Sequence, residues 1–497
     1  MVAGVPQGGG TLADRSPWFF RIANRCASAP TGLEQTIRLP LSSQSNSDDP
    51  GDTGRVRSLL RGPSVTTAPR YDKNLRDGTR DKPYAGVAVA TLLSLLLGFG
   101  LMQMGNTLQG TLLSIRGGIE NFSPAQIGAV GAGFWVGIVV GSLRAGRLVQ
   151  SVGHIRAFLA LGAVASTAPL LHLLIVDPTA WIVIRALTGF CFAGLFIVVE
   201  SWLNSAATAR TRGQILSVYA MTGLVGGIAG QLLLPATDPA GFKPFCIVAI
   251  IIAFALVPIA LTRAVAPAHE GAGARTSLAG LYQKSPLGLV AAILCGVTTS
   301  AFFALGPILA QRNGLDTTGV AVFMASGTLG GSLMAWPVGW LSDRLDRRRV
   351  IIGAAIAASA SLFVMMALVP DEPSRWMLYL CAAIFGGTIV PTYSVVMAHV
   401  NDLVGEGEFV AASGGLLIMQ GIGAAAGPLL AGFAMSAWDH GLAYTLIAAQ
   451  ILMAVFGVYR LTRRAAPPRM HKGAFVVEPL IPVGTTLESE HSRVERA

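Results

Sequence analysis

From Gly86 to Arg463 the chain is a succession of long apolar runs broken by short polar joints, a pattern that leaves few folds open. A run of about twenty apolar residues, rising 1.5 Å per residue as a helix, crosses a hydrocarbon core of about 30 Å. The 378 residues of this span, divided by roughly 31 for each helix with its loop, hold twelve crossings. In lipid every backbone N–H and C=O needs a partner within the protein, so only helices or a closed barrel can span it. The runs lack the period-two alternation of a barrel strand, which leaves helices. The expected spans are 86–112, 124–145, 157–176, 179–204, 213–235, 242–263, 286–310, 317–342, 349–370, 374–400, 409–436 and 441–461. Composition agrees: 52% of the residues are hydrophobic and 12% charged, the latter about half the fraction of a soluble domain.

A net charge of +10 invites a nucleic-acid reading, but its placement points to a bilayer. With the N-terminus inside, the inner loops carry Arg144, Arg147, Arg156, Arg210, Arg212, Arg263, Arg275, Lys284, Arg344, Arg347, Arg348 and Arg349, against Arg116, Lys243, Arg312 and Arg375 outside. That is the positive-inside asymmetry, so both termini are expected in the cytoplasm and no nucleic-acid partner is expected. The five cysteines are scattered, four of them in apolar runs, and suit neither a disulfide frame nor a metal site. Residues 1–83, rich in Gly, Pro, Ser, Asp and Arg, read as a disordered extension, as does the tail 465–497. The extension has no signal-peptide core; a presequence and an early start codon both remain open.

The chain is also duplicated. Gly146-Arg147-Leu148-Val149-Gln150-Ser151-Val152-Gly153 recurs 193 positions on as Gly339-Trp340-Leu341-Ser342-Asp343-Arg344-Leu345-Asp346, each copy in a joint expected to be a tight turn. Asp177-Pro178 opening the fourth run matches Glu372-Pro373 before the tenth, and Gly189, Gly226 and Gly230 recur 197 positions on as Gly386, Gly423 and Gly427. Two six-helix halves follow, 84–264 and 286–464, joined by a cytoplasmic linker 265–285. The run Gly339 to Arg348, with Arg185 and Gly189 in the fourth run, resembles the major facilitator superfamily over nearly all of 84–464. Val199-Glu200-Ser201-Trp202-Leu203-Asn204 and Ala398-His399-Val400-Asn401-Asp402 resemble its YcaD-like branch of bacterial permeases. The resemblance implies an all-α membrane protein of two pseudo-symmetric six-helix bundles, a single-chain permease of the plasma membrane with a central cavity opening alternately to either side. Two departures stand out. Gln150 replaces the usual Asp, and the Gly-Pro pair of antiporter helix 5 is found only in the eleventh run, as Gly427-Pro428, which weakens a drug-efflux reading.

Pseudo-symmetry lays the Gly339 joint beside the start of the fifth run and the Gly146 joint beside the start of the eleventh. Asp343 is then expected to meet backbone N–H groups beside Arg212, while Arg147 and Arg156 face Glu406 and Glu408. A cytoplasmic gate of Gly146, Gln150, Gly339, Asp343, Arg344, Arg347, Arg212, Glu406 and Glu408 follows, topological anchoring by the arginines being the plainer reading. Inside the membrane, Arg185 fits a substrate contact and a packing role equally, with the Gln and Asn groups of the first run among its expected partners. Glu200 is the carboxylate set clearly within an apolar span; it is expected to pair with Arg210 or Arg212, or to carry a coupling proton. Gln103, Asn106, Thr107 and Gly110 form one helical face, whose amides suit a hydroxyl-rich or zwitterionic solute, or simply bond between helices. Tyr393 joins the expected substrate contacts; Thr298, Thr299, Thr388, Thr392 and Gln231 are weaker candidates, and His399 reads as a helix-end cap or protonation switch.

No phosphate-binding loop, zinc helix or nucleophile turn is present, so the chain is expected to be neither ATPase nor hydrolase and to need no cofactor. The expected function is gradient-coupled secondary transport of a small organic solute by a monomer in the lipid bilayer, with protons as the coupling ion. A nontransporting sensor or partner-binding protein on the same bundle is the alternative.

Overall fold

The computed structural model describes residues 82–207, 211–261, 278–367, 375–405 and 408–463, without the side chains of 82–91, 212 and 410. The terminal segments expected to be disordered lie outside these residues, apart from 82 and 83, as do Arg210, Arg263, Arg275, Glu406 and most of the linker. The described residues contain thirteen helices and no strand. They are α1 (Lys82–Ile119), α2 (Pro124–Val152), α3 (His154–Leu174), α4 (Pro178–Ala206), α5 (Arg212–Leu233), α6 (Lys243–Ala260), the short α7 (Leu278–Lys284), α8 (Pro286–Arg312), α9 (Thr317–Arg344), α10 (Arg347–Ala367), α11 (Arg375–Asn401), α12 (Phe409–Ala437) and α13 (Gly441–Arg463). Eleven of them are long and apolar enough to cross a membrane. The twelfth long helix is α1, at 38 residues, whose later part from Leu92 is diluted by Gln103, Asn106 and Gln109. Side chains such as Val183, Phe254, Leu333 and Phe433 are exposed, an apolar exterior suited to lipid.

Local chemistry sets the helix starts. Ser123 and Gln126 form a reciprocal capping box ahead of α2, with Pro124 in the first turn. Asp177 accepts from Ala180 N at 2.8 Å with Pro178 following, so the sequence pair Asp177-Pro178 is a helix opener. Its counterpart Glu372-Pro373 lies outside the described residues.

The two duplicated segments, expected to be turns, are mostly helix. The apolar stretch ends near 145, but nothing in Arg147–Val152 breaks a helix, and α2 continues until Gly153 takes a φ of +89°. In the second copy α9 runs to Arg344 and extended Leu345 stops it. Asp346 then starts α10 by accepting from the Arg348 backbone N–H at 3.0 Å. A glycine with positive φ and a capping carboxylate thus do equivalent work at equivalent positions.

Packing repeats the duplication. A Cβ on Gly189 of α4 would overlap the carbonyl oxygen of Phe134 on α2, and one on Gly386 of α11 would overlap that of Gly327 on α9. Likewise Gly226 and Gly230 of α5 abut the backbone of Gly100 and Met104 on α1, while Gly423 and Gly427 of α12 abut Ile293 and Val297 on α8. These four pairs are the same two contacts in each half. Lipid tails are as apolar as the side chains, so close backbone approach at small residues supplies the dispersion energy that holds such helices together.

Each half also ties its first helix to the end of its fifth helix or to the loop that follows it, at one end of the bundle. Arg116 of α1 donates to the carbonyls of Pro239 and Ala240, and Arg312 of α8 donates to those of Met435 and Asp439. This end, opposite the duplicated joints, is the far end; the other is the joint end. Contacts between the halves gather toward the far end. Ser114 donates to Ala304 O at 2.5 Å and Ala125 N to Ser436 Oγ at 3.3 Å. Gly128, Gly432 and Gly421 press α2 and α12 together from Pro124 to Val139.

Candidate functional site

A cavity with about 980 Å³ of empty space, open solvent included, lies among α1, α2, α4, α5, α8 and α9, so both halves contribute. From α1 it receives Gln103, Asn106, Thr107 and Gly110, the whole face read from the sequence, and continues along it with Thr111 and Ser114. The roles of these groups differ. The Thr107 hydroxyl is engaged by backbone carbonyls, including Gly227 O on α5 at 3.1 Å, so it stitches helices. Thr111 donates to Gln231 Oε1 at 2.6 Å. By contrast Gln103 Oε1 and Asn106 Oδ1 are buried and accept no hydrogen bond among the described residues. A buried acceptor left unmade costs about 1–3 kcal/mol, so two at one wall mark a place for water or a ligand.

Arg185 enters from the second turn of α4 and is 6% exposed. Its guanidinium lies 4.3 Å from the centre of the Phe134 ring and donates to Gln109 Oε1 at 3.4 Å, the α1 amide partner that the sequence suggested. Gly189, one turn further along α4, explains the stack: the missing Cβ lets α2 approach at Phe134 itself. Arginine and glycine at this spacing form one device, the glycine bringing up the aromatic face on which the cation rests. No other charged side chain lines the cavity among the described residues.

Two weaker candidates, Thr299 and Gln231, also reach the wall. The others do not. Thr298, Thr388 and Thr392 bond to carbonyls of their own helices. Tyr393, expected to touch substrate, is absent from the wall and buried in a separate cluster with Leu289, Val396 and Leu416. A period of 3.6 identified its helix but not which face turns inward. Reading by residue type missed Phe134, Trp135, Ser300, Phe303 and Thr328, which line the cavity. Thr111 and Ser114 were legible as the next steps of the 103, 106/107, 110 face; an aromatic beside other apolar residues carries no such signal.

Glu200 is 4% exposed and lies outside the cavity wall. Tyr219 of α5 donates to its Oε1 at 3.2 Å, and the Tyr219 ring packs 4.2 Å from Phe99. Of its expected partners, Arg210 and the side chain of Arg212 lie outside the described residues. Nearby, His154 Nε2 and Ser201 Oγ are 3.3 Å apart.

At the joint end the acids meet partners within their own half. Asp343 pairs with Arg347 at 3.6 Å, four residues on across the α9–α10 joint, rather than with the first turn of α5. Arg347, 2% exposed, is held more firmly by Asp402 at 2.8 Å and Ser342 Oγ at 3.2 Å. Asp402, which followed the expected helix-end cap at His399, is thus a structural anion. Glu408 pairs with Lys284 of α7 instead of Arg147 or Arg156. The Lys284 hydrogen bond holds its carboxyl below the usual range. Gly146, Gln150, Arg147 and Arg156 sit where solvent reaches them, Gly339 is buried, and Arg344 stacks 3.8 Å from the Trp340 ring. Burial pushes the Asp346 carboxyl up, but hydrogen bonds from Arg348 and its charge outweigh that and leave it lowered.

Sequence comparison agrees with this architecture. The family model described as Major Facilitator Superfamily matches residues 95–336 and, overlapping, 287–487. The chain is 26% identical over 387 residues to a protein of Escherichia fergusonii named as the uncharacterized MFS-type transporter YcaD, covering 76% of this chain and 98% of that one. It is 25% identical over 383 residues to the uncharacterized MFS-type transporter Ent638_1421 of Enterobacter sp., with the same coverage. Among solved structures, the nucleoside transporter NupG superposes with a TM-score of 0.63 at 13% identity, covering 75% of this chain and 96% of that one. A bacterial homologue of the human lysosomal transporter Spinster gives 0.60 at 16% identity, covering 78% and 100%. The chain is therefore a multi-pass membrane permease rather than an enzyme, and it belongs to the major facilitator superfamily.

Proposed function

We propose that this chain is a secondary transporter that carries a small organic solute across the inner membrane by alternating access. Its moving bodies are 84–264 and 286–464, linked by 265–285, with both termini and the joint end cytoplasmic. The observation that carries this reading is a cavity shared by both halves, walled by Arg185, Gln103 and Asn106, the two amides having buried oxygens without a partner among the described residues. Contacts between the halves gather on its far side. The conformation described is then the one open toward the cytoplasm. A Cβ at Gly146 or Gly414 would meet nothing within 4 Å, as a surface parted from its partner requires. On closure Asp343 leaves Arg347 for the start of α5, and Gln150 approaches α12.

Glu200, buried and bonded to Tyr219, is the coupling group: protonation changes the α4–α5 contact beside the cavity. Exchange of labelled solute by protein in proteoliposomes tests transport, since a sensor gives no counterflow with any solute. Glu200→Gln should retain counterflow but lose uptake driven by a pH gradient. Full gradient-driven uptake in that variant refutes the coupling role, and a wild type without exchange of any solute refutes transport.

A further inference from the structure

We propose that the transported solute is a small organic anion: a carboxylate on a partly apolar body that also carries a hydrogen-bond donor. This rests on the transport reading above and narrows it.

The cavity holds one fixed charge, that of Arg185, and no carboxylate offsets it among the described residues. A guanidinium has five N–H donors in a planar fork. Among the described residues Arg185 makes one hydrogen bond, to Gln109 at 3.4 Å, while Phe134 supports one face of the plane. The remaining donors match a carboxylate, which accepts two of them side by side. A helix-packing arginine would instead be surrounded by carbonyls or paired with an acid, as Arg347 is.

The unmet groups of the wall residues have the opposite polarity; Gln109 Nε2 is a buried unmet donor too, but Gln109 is not on the wall. Gln103 Oε1 and Asn106 Oδ1 are buried acceptors on α1, and they call for a donor on the ligand, a hydroxyl or an amide N–H. Phe134 and Phe303 supply the apolar wall. A neutral polyol would satisfy the amides and leave the cation unpaired. An organic cation would face Arg185 with no counter-charge. The ammonium of a zwitterion would find amide oxygens but no acid. Glu200 is outside the wall, so its protonation does not alter this account.

The test uses purified full-length protein and a panel of matched pairs, each acid beside its own amide: benzoate, mandelate, 3-phenyllactate, nicotinate and gluconate. Phenylalanine and phenylalaninamide serve as zwitterion and cation. Ligand-induced thermal stabilisation and counterflow in proteoliposomes are both read. At least one acid should bind on the order of ten- to a hundredfold more tightly than its amide, the difference expected for hydrogen bonds to a charged group. Arg185→Gln should erase that preference and Arg185→Lys should keep part of it. The acid-to-amide ratio is measured on the wild type, so the proposal stands or falls even if a variant does not fold. Acids that never exceed their amides, or a zwitterion or cation that binds as well, overturn it. The two readings fail separately. Exchange of neutral or cationic solutes alone overturns the anion class and leaves transport standing, whereas acids that bind without any counterflow overturn transport and leave the class.

Discussion

Single residues in this bundle matter mainly through what they exclude. Gly189 matters because the Phe134 carbonyl occupies the place of its Cβ, so Gly189→Val should force α2 and α4 apart. A loss of about 1–3 kcal/mol or more is expected, seen as a lower unfolding temperature in detergent. Gly146→Val is the contrast. Nothing lies within 4 Å of that Cβ in the conformation described, so stability should change by less than about 0.5 kcal/mol. Transport should nevertheless fall, because the proposed closure of the joint end would bring α12 against this position. Equal effects of the two substitutions on stability would overturn that contrast. Asp346 gives a pH signature. Its folded carboxyl titrates below the ordinary 3.8, so its stabilising contribution is complete above that value and fades as pH falls through the lower one. The stability gap between wild type and Asp346→Asn should be constant near pH 6 and shrink below about pH 4 in a thermal-unfolding series.

Among the elements, the joint between α9 and α10 is the most firmly built polar structure described. Arg347 and Asp402 are nearly excluded from solvent, with side chains 1% and 3% exposed, and they bind the start of α10 to the end of α11. Breaking a buried pair by removing one partner costs more than the pair is worth, since the other charge stays buried. Asp402→Asn should therefore destabilise the protein by about 3–5 kcal/mol, since Asp343, already at 3.6 Å but 44% exposed, offsets little of the loss. Lys284 and Glu408 form a half-exposed pair, and Glu408→Gln should scarcely move the unfolding temperature. Arg347 was legible as one of several basic residues on the cytoplasmic side, which positive-inside counting explains without any partner. Asp402 lies 55 residues further on, and only packing of α11 against α10 brings the two together.

For the whole molecule, the far-end contacts predict a lock. Ala125 of α2 and Ser436 of α12 meet across the halves, so cysteines at these positions in a cysteine-free background should form a crosslink. The crosslink should stop transport until reduced, because the proposed alternating access requires the far end to part once per cycle. Undiminished counterflow with complete crosslinking would refute alternating access.

The number of long helices, their order and the duplication were legible in the chain, because twenty-residue apolar runs and recurring glycines are local signals that lipid makes nearly obligatory. The polar face of α1 was legible for the same reason, since a 3.6-residue period is written along one segment. Local signals also misled at the joints: a motif between two apolar runs was read as a turn, although hydropathy ends where lipid ends and a helix ends only where its backbone is broken. Which acid meets which base was not legible. Asp343 and Glu408 each find a partner within reach in their own half, at a separation that one conformation sets and another would alter. The expected contacts Arg185, Gln103, Asn106 and Thr107 do share one chamber, but nothing local showed that Tyr393 stays out of it. The sequence alone determined a duplicated helical bundle for a bilayer. The tertiary structure decided the site, because the direction each helix face turns depends on the neighbour it packs against, and that information is spread over all the helices at once.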